Sequence, residues 1–246
     1  ADGADPDEKD AAGESYVVYG SDTRSAAALD LSDLNATNGF RINGIDEYDS
    51  SGRSVSSAGD VNGDGIDDII IGAFGADPDG NSQAGESYVV YGSDTRSAAA
   101  LDLSDLNGTN GFIINGTDTY DYSGYSVSSA GDVNGDGIDD LIIGAYGADP
   151  DGNLNAGESY VVYGSDTRSA AALDLSDLNG TNGFQINGID ANDYSGTSVS
   201  SAGDVNGDGI DDLIIGAYGA DSQSGESYVV YGSETHSGTD IDLCDP

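Results

Sequence analysis

Short apolar runs separated by glycine-rich polar segments follow one another along the chain. Examples are the continuous run Ile69–Ile71 and the segment Ser87–Tyr91, whose residues are mostly aromatic or β-branched. Such runs, bounded by Gly, Asn, Asp and Ser, are typical of β-strands. No segment shows the 3.6-residue period of an amphipathic helix. The pattern therefore predicts an all-β chain.

The pattern of apolar runs recurs with a period of 72 residues. One period holds four predicted strands, with the sequences Ser-Val-Ser-Ser-Ala, an Ile/Leu run, Ser-Tyr-Val-Val-Tyr and Gly-Phe-x-Ile. Between the third and fourth strands lies a polar connector with three leucines (Leu29, Leu31 and Leu34 in the first copy), which we expect to pack under neighbouring strands. Four short antiparallel strands per repeat are typical of a β-propeller blade.

The chain is predicted to be a single repeat array over residues 1–246 with incomplete blades at both ends. Residues 1–53 would hold strands three and four of one blade, 54–125 and 126–197 two complete blades, and 198–246 strands one to three of another. About thirteen strands do not close a ring, and unpaired strand edges pair with other chains. We expect other copies to complete the ends, in an oligomeric ring or a head-to-tail filament. The alternative is that the chain is part of a longer array that closes by itself.

The segment Asp60–Asp68, with the sequence Asp-Val-Asn-Gly-Asp-Gly-Ile-Asp-Asp, returns unchanged at 132–140 and 204–212. Alternate oxygen-bearing residues with a glycine at the sixth place suit a hard cation such as Ca²⁺, which takes six to eight oxygen ligands. Turn composition alone explains a single copy, but three copies with an acid at the ninth place favour a metal loop. The twelfth position, Ile71 in the first copy, lies in an apolar run, which argues against an EF-hand. A nine-residue calcium repeat is also absent.

The predicted cofactors are therefore three structural Ca²⁺ ions. In each loop the ligands would be the side chains of residues one, three, five and nine and the carbonyl of residue seven. The predicted ligands are Asp60, Asn62, Asp64, Ile66, Asp68, Asp132, Asn134, Asp136, Ile138, Asp140, Asp204, Asn206, Asp208, Ile210 and Asp212.

The net charge narrows the range of partners. Forty-six acidic residues against six Lys and Arg give a formal charge of −40, which repels nucleic acid and anionic membranes. The apolar runs are too short to span a membrane. No signal peptide opens the sequence, so we expect a mature form or part of a longer protein. The acidity suits a saline or calcium-rich extracellular setting, where ions screen charge.

Several other residues are candidates for chemistry. Four Asn-x-Thr patterns are candidate N-glycosylation acceptors, at Asn35, Asn107, Asn115 and Asn179. The recurrent cations Arg24, Arg96 and Arg168 sit in acidic surroundings and are expected to form structural ion pairs. The single cysteine, Cys244, cannot form an internal disulfide, but it could link two chains.

Catalysis is not expected from this sequence. A carboxylate-dependent glycoside hydrolase is an alternative, but the acids recur in every repeat, whereas an active site needs one distinct set of residues. A Ser-His-Asp triad would have to use His236, the only histidine. The chain is predicted not to be an enzyme.

The repeat resembles the FG-GAP repeat of integrin α-subunit β-propellers and of many surface proteins, as seen in residues Ser123–Ala145. The resemblance implies a β-propeller fold in which the metal loop joins the first two strands of a blade, away from the usual ligand surface, with structural calcium. Two features depart from the family. Phe74, Tyr146 and Tyr218 replace the proline of the Gly-Ala-Pro element, and family propellers usually have seven blades.

The sequence thus predicts an extracellular, calcium-stabilised protein with a structural or adhesive role. Its partners would be other copies of itself and possible protein or carbohydrate ligands. The alternative is an integrin-like ligand-binding adhesion module that belongs to a larger closed propeller.

Overall fold

The computed structural model describes residues 1–22, 28–95, 98–235 and 238–243, and β-strands make up most of its regular structure. The strands are β1 (Glu14–Val18), β2 (Gly39–Asn43), β3 (Ser54–Gly59), β4 (Asp68–Ala73), β5 (Glu86–Val90), β6 (Ala100–Asp102), β7 (Gly111–Asn115), β8 (Ser126–Gly131), β9 (Asp140–Ala145), β10 (Glu158–Val162), β11 (Ala172–Asp174), β12 (Gly183–Asn187), β13 (Ser195–Gly203), β14 (Asp212–Ala217), β15 (Glu226–Val230) and β16 (Asp240–Asp242).

Helical structure in the described part is confined to single turns. A four-residue helical segment spans Ala220–Gln223, and the 3₁₀ turns are Pro6–Glu8, Leu31–Asp33, Pro78–Gly80, Leu103–Asp105, Pro150–Gly152 and Leu175–Asp177. No helix of the described residues is long and apolar enough to cross a membrane.

The strands form four sheets that follow the repeat. The two inner sheets have five strands each, in the orders β3-β4-β5-β7-β11 and β8-β9-β10-β12-β16, and the outer sheets have the orders β1-β2-β6 and β13-β14-β15. Within a repeat the first four strands pair antiparallel, for example with Ile71 opposite both Val55 and Tyr88. The predicted all-β fold with four antiparallel strands per repeat is confirmed, and the sheets fit propeller-like blades.

A short fifth strand joins each repeat to the one before it, and the sequence did not predict it. In the second copy the connector forms β6, which pairs in parallel with β2 of the preceding sheet, Leu101 opposite Ile42. Asn43 Nδ2 then donates to Asp102 Oδ1 at 2.6 Å. The structure therefore contains sixteen strands in its described part, against the predicted thirteen. The connector therefore links two neighbouring sheets, because its strand pairs with a strand of the preceding repeat.

The connector leucines pack as expected only where a preceding sheet covers them. Leu103 and Leu106 are buried in a cluster with Phe40 and Ile42 of the preceding sheet. The equivalent of Leu103 in the first copy, Leu31, is exposed. Burial of these leucines therefore depends on the neighbouring repeat.

The core lies between consecutive sheets, around the second and third strand of each repeat. All six residues of β9 and all five of β10 are buried. Adjacent sheets approach so closely that a Cβ at Gly72 of β4 would lie 1.9 Å from the carbonyl oxygen of Gly124. Glycine is needed at this position because any side chain would overlap the backbone of the next sheet.

Candidate metal centres

Each predicted metal loop connects the first two strands of its repeat. The loop after β3 leaves the sheet at Gly59 and returns at Asp68, which pair across the strands after a bulge. Gly63 and Gly65 have φ of +72° and +88°, a backbone conformation that residues other than glycine rarely adopt. The loop joins strand to strand, as predicted, and no helix follows it as in an EF-hand.

Residues one, three and five of the loop are brought together by backbone N–H groups. The amide of Asp64 donates to both Asp60 Oδ1 and Asn62 Oδ1, each at 2.9 Å. Gly65 N donates to Asp60 Oδ2 at 2.8 Å, and Ile66 N donates to Asp64 Oδ1 at 2.9 Å. Two side-chain oxygens that share one N–H must lie on the same side of the loop, which is the arrangement a cation-binding loop needs.

The same hydrogen bonds form in the other two copies. Asp136 N donates to Asp132 Oδ1 at 3.1 Å and to Asn134 Oδ1 at 2.8 Å. In the third copy Asp208 N donates to Asp204 Oδ1 at 3.1 Å and to Asn206 Oδ1 at 2.9 Å. The loop conformation therefore follows from the local sequence.

The acid at the ninth position ties the loop to its sheet. Asp68 is buried, and its two oxygens accept from Val61 N at 3.1 Å and from Gly92 N at 2.7 Å. Gly92 follows the third strand of the repeat, so Asp68 ties the loop to the end of that strand. Asp140 makes the equivalent bonds to Val133 N and Gly164 N.

Burial controls the protonation of these ninth-position acids. Burial raises the pKa of Asp68 to about 6, although the hydrogen bonds from the backbone N–H groups of Gly92 and Val61 lower it. It raises the pKa of Asp140 to about 8, again against two backbone donors. A bound cation would favour the charged form of both carboxyl groups.

The donor set suits a hard divalent cation, although the acids are not drawn together into a closed cage. Within the described residues, no group of three or more His, Cys, Asp or Glu side chains converges closely enough to hold a metal ion. The loop oxygens each accept from backbone donors, and a carboxylate oxygen retains further acceptor capacity after one such bond. The chemistry of the donors therefore fits Ca²⁺, and the fifteen ligand assignments, including the seventh-position carbonyls, remain predictions.

The acid at the eighth position is a structural residue that the sequence reasoning missed. Asp139 Oδ2 accepts from Asp60 N at 2.9 Å, and Asp211 Oδ2 accepts from Asp132 N at 3.1 Å. Each of these acids reaches from its own loop to the first residue of the loop one repeat earlier. The available signal was the Asp-Asp pair that closes every copy of the motif.

A ladder of aromatic rings lies at the opposite end of the strands. The loop precedes β4 whereas Phe74 follows it, so the two features mark opposite ends of the sheet. Neighbouring ring centroids are 4.6 to 6.3 Å apart along Phe74, Tyr125, Tyr146, Tyr194 and Tyr218. Arg53 stacks on the ring of Tyr125, 5.2 Å from its centroid. The residues that replace the family proline thus connect the repeats along one surface.

A second set of buried acids lies in the loops that precede the first strand. Asp49 and Asp121 are 6% and 7% exposed. Burial raises the pKa of each to about 7, and nearby acids, including Glu86 beside Asp49 and Glu158 beside Asp121, raise it further. Asp193, the equivalent residue of the following repeat, is also buried, so this buried acid recurs with the repeat.

The ion pair predicted for the recurrent arginines is wrong for Arg168. Its guanidinium lies over the ring of Phe112, 4.6 Å from the centroid, and Nη2 donates to the carbonyl of Tyr163 at 2.9 Å. Burial among these groups lowers the pKa of Arg168. An aromatic face and a carbonyl therefore replace the expected carboxylate. Arg24 and Arg96 lie outside the described residues, as do His236 and Cys244.

The candidate glycosylation sites differ in accessibility. Asn35, Asn107 and Asn179 are exposed, and each accepts from the amide of the threonine two residues later. Asn115 instead belongs to β7, where its Nδ2 donates to Oδ1 of Asp174 in β11 at 2.7 Å. That amide is occupied within the sheet, which disfavours sugar attachment at Asn115.

Comparison with known proteins places this architecture in a family. A model of the FG-GAP repeat matches residues 51–90, 123–162 and 195–230. Each match begins at or just before the first strand and includes the metal loop and the second and third strands. The family model therefore recognises the same unit three times.

Curated proteins similar to this chain include integrin alpha chains and a phospholipase D. Integrin alpha-5 of Xenopus laevis is 30% identical over 179 residues, which cover 70% of this chain and 15% of that protein. Phosphatidylinositol-glycan-specific phospholipase D of Dictyostelium discoideum is 31% identical over 230 residues, 88% of this chain and 23% of that protein. Integrin alpha-PS2 of Drosophila melanogaster is 30% identical over 198 residues, 76% of this chain and 13% of that protein. The chain spans less than a quarter of the length of these relatives, and its three matched repeats show that it belongs to the FG-GAP repeat family.

Proposed function

We propose that this chain is an extracellular adhesion-type repeat module whose fold is stabilised by Ca²⁺. The observation that carries the proposal is the FG-GAP repeat itself, matched three times and shared with proteins named as integrin alpha subunits. The charge of −40 supports a setting rich in cations and argues against nucleic acid or an anionic membrane as partner.

The loops Asp60–Asp68, 132–140 and 204–212 would each hold one ion. The side-chain oxygens of residues one, three, five and nine and the carbonyl of residue seven are the donors. The bound cation supplies charge neutralisation, because carboxylates about 4 Å apart repel by about 4 kcal/mol at an effective dielectric constant of 20. The ion performs no reaction in this proposal, and the loop residues serve to orient the two strands.

A calcium titration tests the cation proposal. Calorimetry on the full chain is expected to show three bound Ca²⁺ ions, and a chelator is expected to lower the melting temperature markedly. Asp136→Ala removes a loop carboxylate and should abolish one of the three sites. Asp151→Ala removes an exposed carboxylate outside the loops and should leave all three. A melt that is unchanged by the chelator would refute the proposal.

The two end faces of the chain are proposed to dock further repeats of the same kind, supplied by other copies. Ile214 and Val229 are 38% and 47% exposed, whereas their counterparts Ile70 and Val89 are fully buried by the next sheet. At the other end Val55 is 57% exposed, while its counterpart Val127 is buried. On this view residues 54–125 and 126–197 are complete blades, and 1–53 and 198–246 are completed in the assembly.

The mass of the chain in solution distinguishes the two adhesion models. Light scattering with Ca²⁺ present is expected to show oligomers that dissociate when Val229→Asp places a charge on the end face. Leu154→Asp, at an exposed apolar position between β9 and β10 and away from the end faces and the metal loops, is a control for added charge. A stable monomer at all concentrations would instead favour a ligand-binding module within a larger closed propeller.

We further propose that the chain is not catalytic and that ligands bind at the aromatic ladder. That end of the strands lies away from the metal loops and presents Tyr218, which is 59% exposed. Beside it is a depression of about 1000 Å³ lined by Tyr194, Asp193 and Asp221. Tyrosine faces and carboxylates can bind a protein or a carbohydrate. Glycan-array and protein-binding assays with Tyr218→Ala would identify which, and unchanged binding by that variant would exclude the ladder.

A further inference from the structure

Each of the first two metal loops is contacted by the loop of the following repeat. Asp139, the eighth residue of the second loop, accepts from the backbone N–H of Asp60, the first residue of the first loop. Asp211 makes the same bond to Asp132. Both acids are half-buried, whereas Asp67, the equivalent residue of the first loop, is exposed and makes no such contact with the described residues. The eighth position therefore acts on the preceding loop.

The contact is close enough to require a glycine on the receiving side. Gly59, which precedes Asp60, has φ of +74°, and a Cβ there would lie 2.2 Å from Asp139 Oδ2. The space around Gly203, the equivalent residue of the third copy, is open, although its φ of +67° is similar. The side chain of Asp139 is thus packed against the loop backbone and does not merely lie near it.

A backbone hydrogen bond from the next repeat reinforces this contact. Ser165 N donates to the carbonyl of Val61 at 2.8 Å, and Ser233 N donates to the carbonyl of Val133 at 2.9 Å. Val61 and Val133 are consequently buried, whereas Val205 of the third loop is 57% exposed. Within the described part of the chain, the first two loops are held from both sides, and the third is held by its own sheet alone.

We propose that Asp139 and Asp211 are positioning residues that orient the divalent-cation loop of the preceding repeat. Asp139 holds the backbone of Asp60, the first predicted ligand, and places a carboxylate beside it. The inference rests on the proposed binding of Ca²⁺ by these loops.

The decisive experiment measures one loop at a time in the full-length chain. Asp136→Ala with Asp208→Ala disables the second and third loops, so that calcium calorimetry reports the first loop alone. Adding Asp139→Ala should raise the Kd for Ca²⁺ by roughly 10- to 100-fold, the range typical when a residue that orients a metal ligand is removed. Asp151→Ala, which also removes one carboxylate from the second repeat, should change the Kd by less than about twofold, a margin below the lower end of that range.

A second pair of variants separates positioning from charge and from folding. Gly59→Ala displaces the Asp139 side chain without removing its carboxylate and should also weaken Ca²⁺ binding to the first loop. Gly203→Ala carries the same backbone strain where the space is open; in a chain whose third loop alone is intact, it should not weaken Ca²⁺ binding to that loop. Circular dichroism on each variant identifies those that remain folded, and the glycine pair keeps the test decisive if Asp139→Ala does not fold.

The calcium measurements distinguish the positioning role of Asp139 from Ca²⁺ binding by the loops. If the chain with only the first loop intact binds no Ca²⁺, the proposed calcium function is wrong. If it binds Ca²⁺ and Asp139→Ala behaves like Asp151→Ala, calcium binding stands and the positioning role is overturned. An effect on melting temperature without an effect on Kd would also overturn it, since purely structural support would produce that result.

Discussion

Substituting alanine for glycine on the second strand tests how closely the repeats pack. A Cβ at Gly72 would lie 1.9 Å from the carbonyl oxygen of Gly124, and one at Gly144 would lie 1.9 Å from that of Gly196. At Gly216, the equivalent residue of the last sheet, the nearest atoms are 3.7 Å away. None of the three glycines has a positive φ, so alanine adds no backbone strain at any of them. The three positions differ only in what faces them.

The cost of Gly72→Ala follows from the nature of the obstacle. The overlapping atom belongs to the backbone and cannot rotate away, so the two sheets must separate by roughly an ångström or more. Overpacking a well-packed core typically costs about 1–3 kcal/mol and occasionally more. We expect about 3 kcal/mol for Gly72→Ala. Gly216→Ala should be neutral or stabilise by up to about 1 kcal/mol, because alanine restricts the unfolded chain.

Urea denaturation and thermal melts measure both variants with Ca²⁺ present, at a chain concentration low enough for the monomer to predominate. Tyrosine fluorescence and far-ultraviolet circular dichroism follow the unfolding. At about 2–4 °C per kcal/mol for a chain of this size, Gly72→Ala should lower the melting temperature by roughly 6–12 °C. Gly144→Ala should match it. If Gly72→Ala and Gly216→Ala differed by less than about 0.5 kcal/mol, a margin comparable to ordinary surface substitutions, the close approach of the sheets would be refuted.

Two further predictions concern buried charge. Because the folded-state pKa of Asp49 is about 7 against an ordinary value near 4, its contribution to stability is fully present below pH 4 and is lost as the pH rises to about 7. With chelator present, Asp49→Asn should therefore stabilise the fold at pH 8 by up to about 4 kcal/mol and change its stability little at pH 4. The control Asp79→Asn, at an exposed position, should have no such effect. Equal unfolding curves for Asp49→Asn and the parent at pH 8 would contradict this prediction. Arg168→Ala should destabilise by about 1–3 kcal/mol through loss of the Phe112 contact and the bond to the carbonyl of Tyr163, and Arg53→Ala, whose ring contact is exposed, by less than about 1 kcal/mol. Equal losses in urea denaturation would show that burial does not strengthen the Arg168 contact.

The features that the sequence predicted well are those set within a single repeat. The four antiparallel strands follow from local apolar runs, and the loop Asp60–Asp68 follows from turn residues and side-chain acceptors a few positions apart. The burial of Ile70 and Val89 was also expected, because continuous apolar runs suit strands covered on both faces. These signals are short-ranged, and one copy of the repeat contains all of them.

The features that were missed join one repeat to the next. The fifth strand, Ala100–Asp102, has too few apolar residues to stand out, and it forms because β2 offers an edge in parallel register. The contact of Asp139 with Asp60 spans 79 residues, and no spacing within the motif reveals it. Arg168 sits among acids in the sequence but meets Phe112 in space, since the strand that carries the ring comes from the preceding repeat.

Near-identical repeats make this division between local and inter-repeat effects unusually clear. Ile142 and Ile214 occupy the same place in the same motif, yet the first is fully buried and the second is 38% exposed. Only the neighbouring sheet can account for the difference, so each repeat has its own local stability and a separate contribution from each interface, as in other repeat proteins. The metal loops contribute both to the stability of a single repeat and to the interface between repeats. The ninth-position acid ties the loop to its own sheet, and the eighth-position acid ties it to the preceding loop. If Ca²⁺ binds as proposed, removing it should therefore loosen the interface between repeats as well as the loop that held the ion.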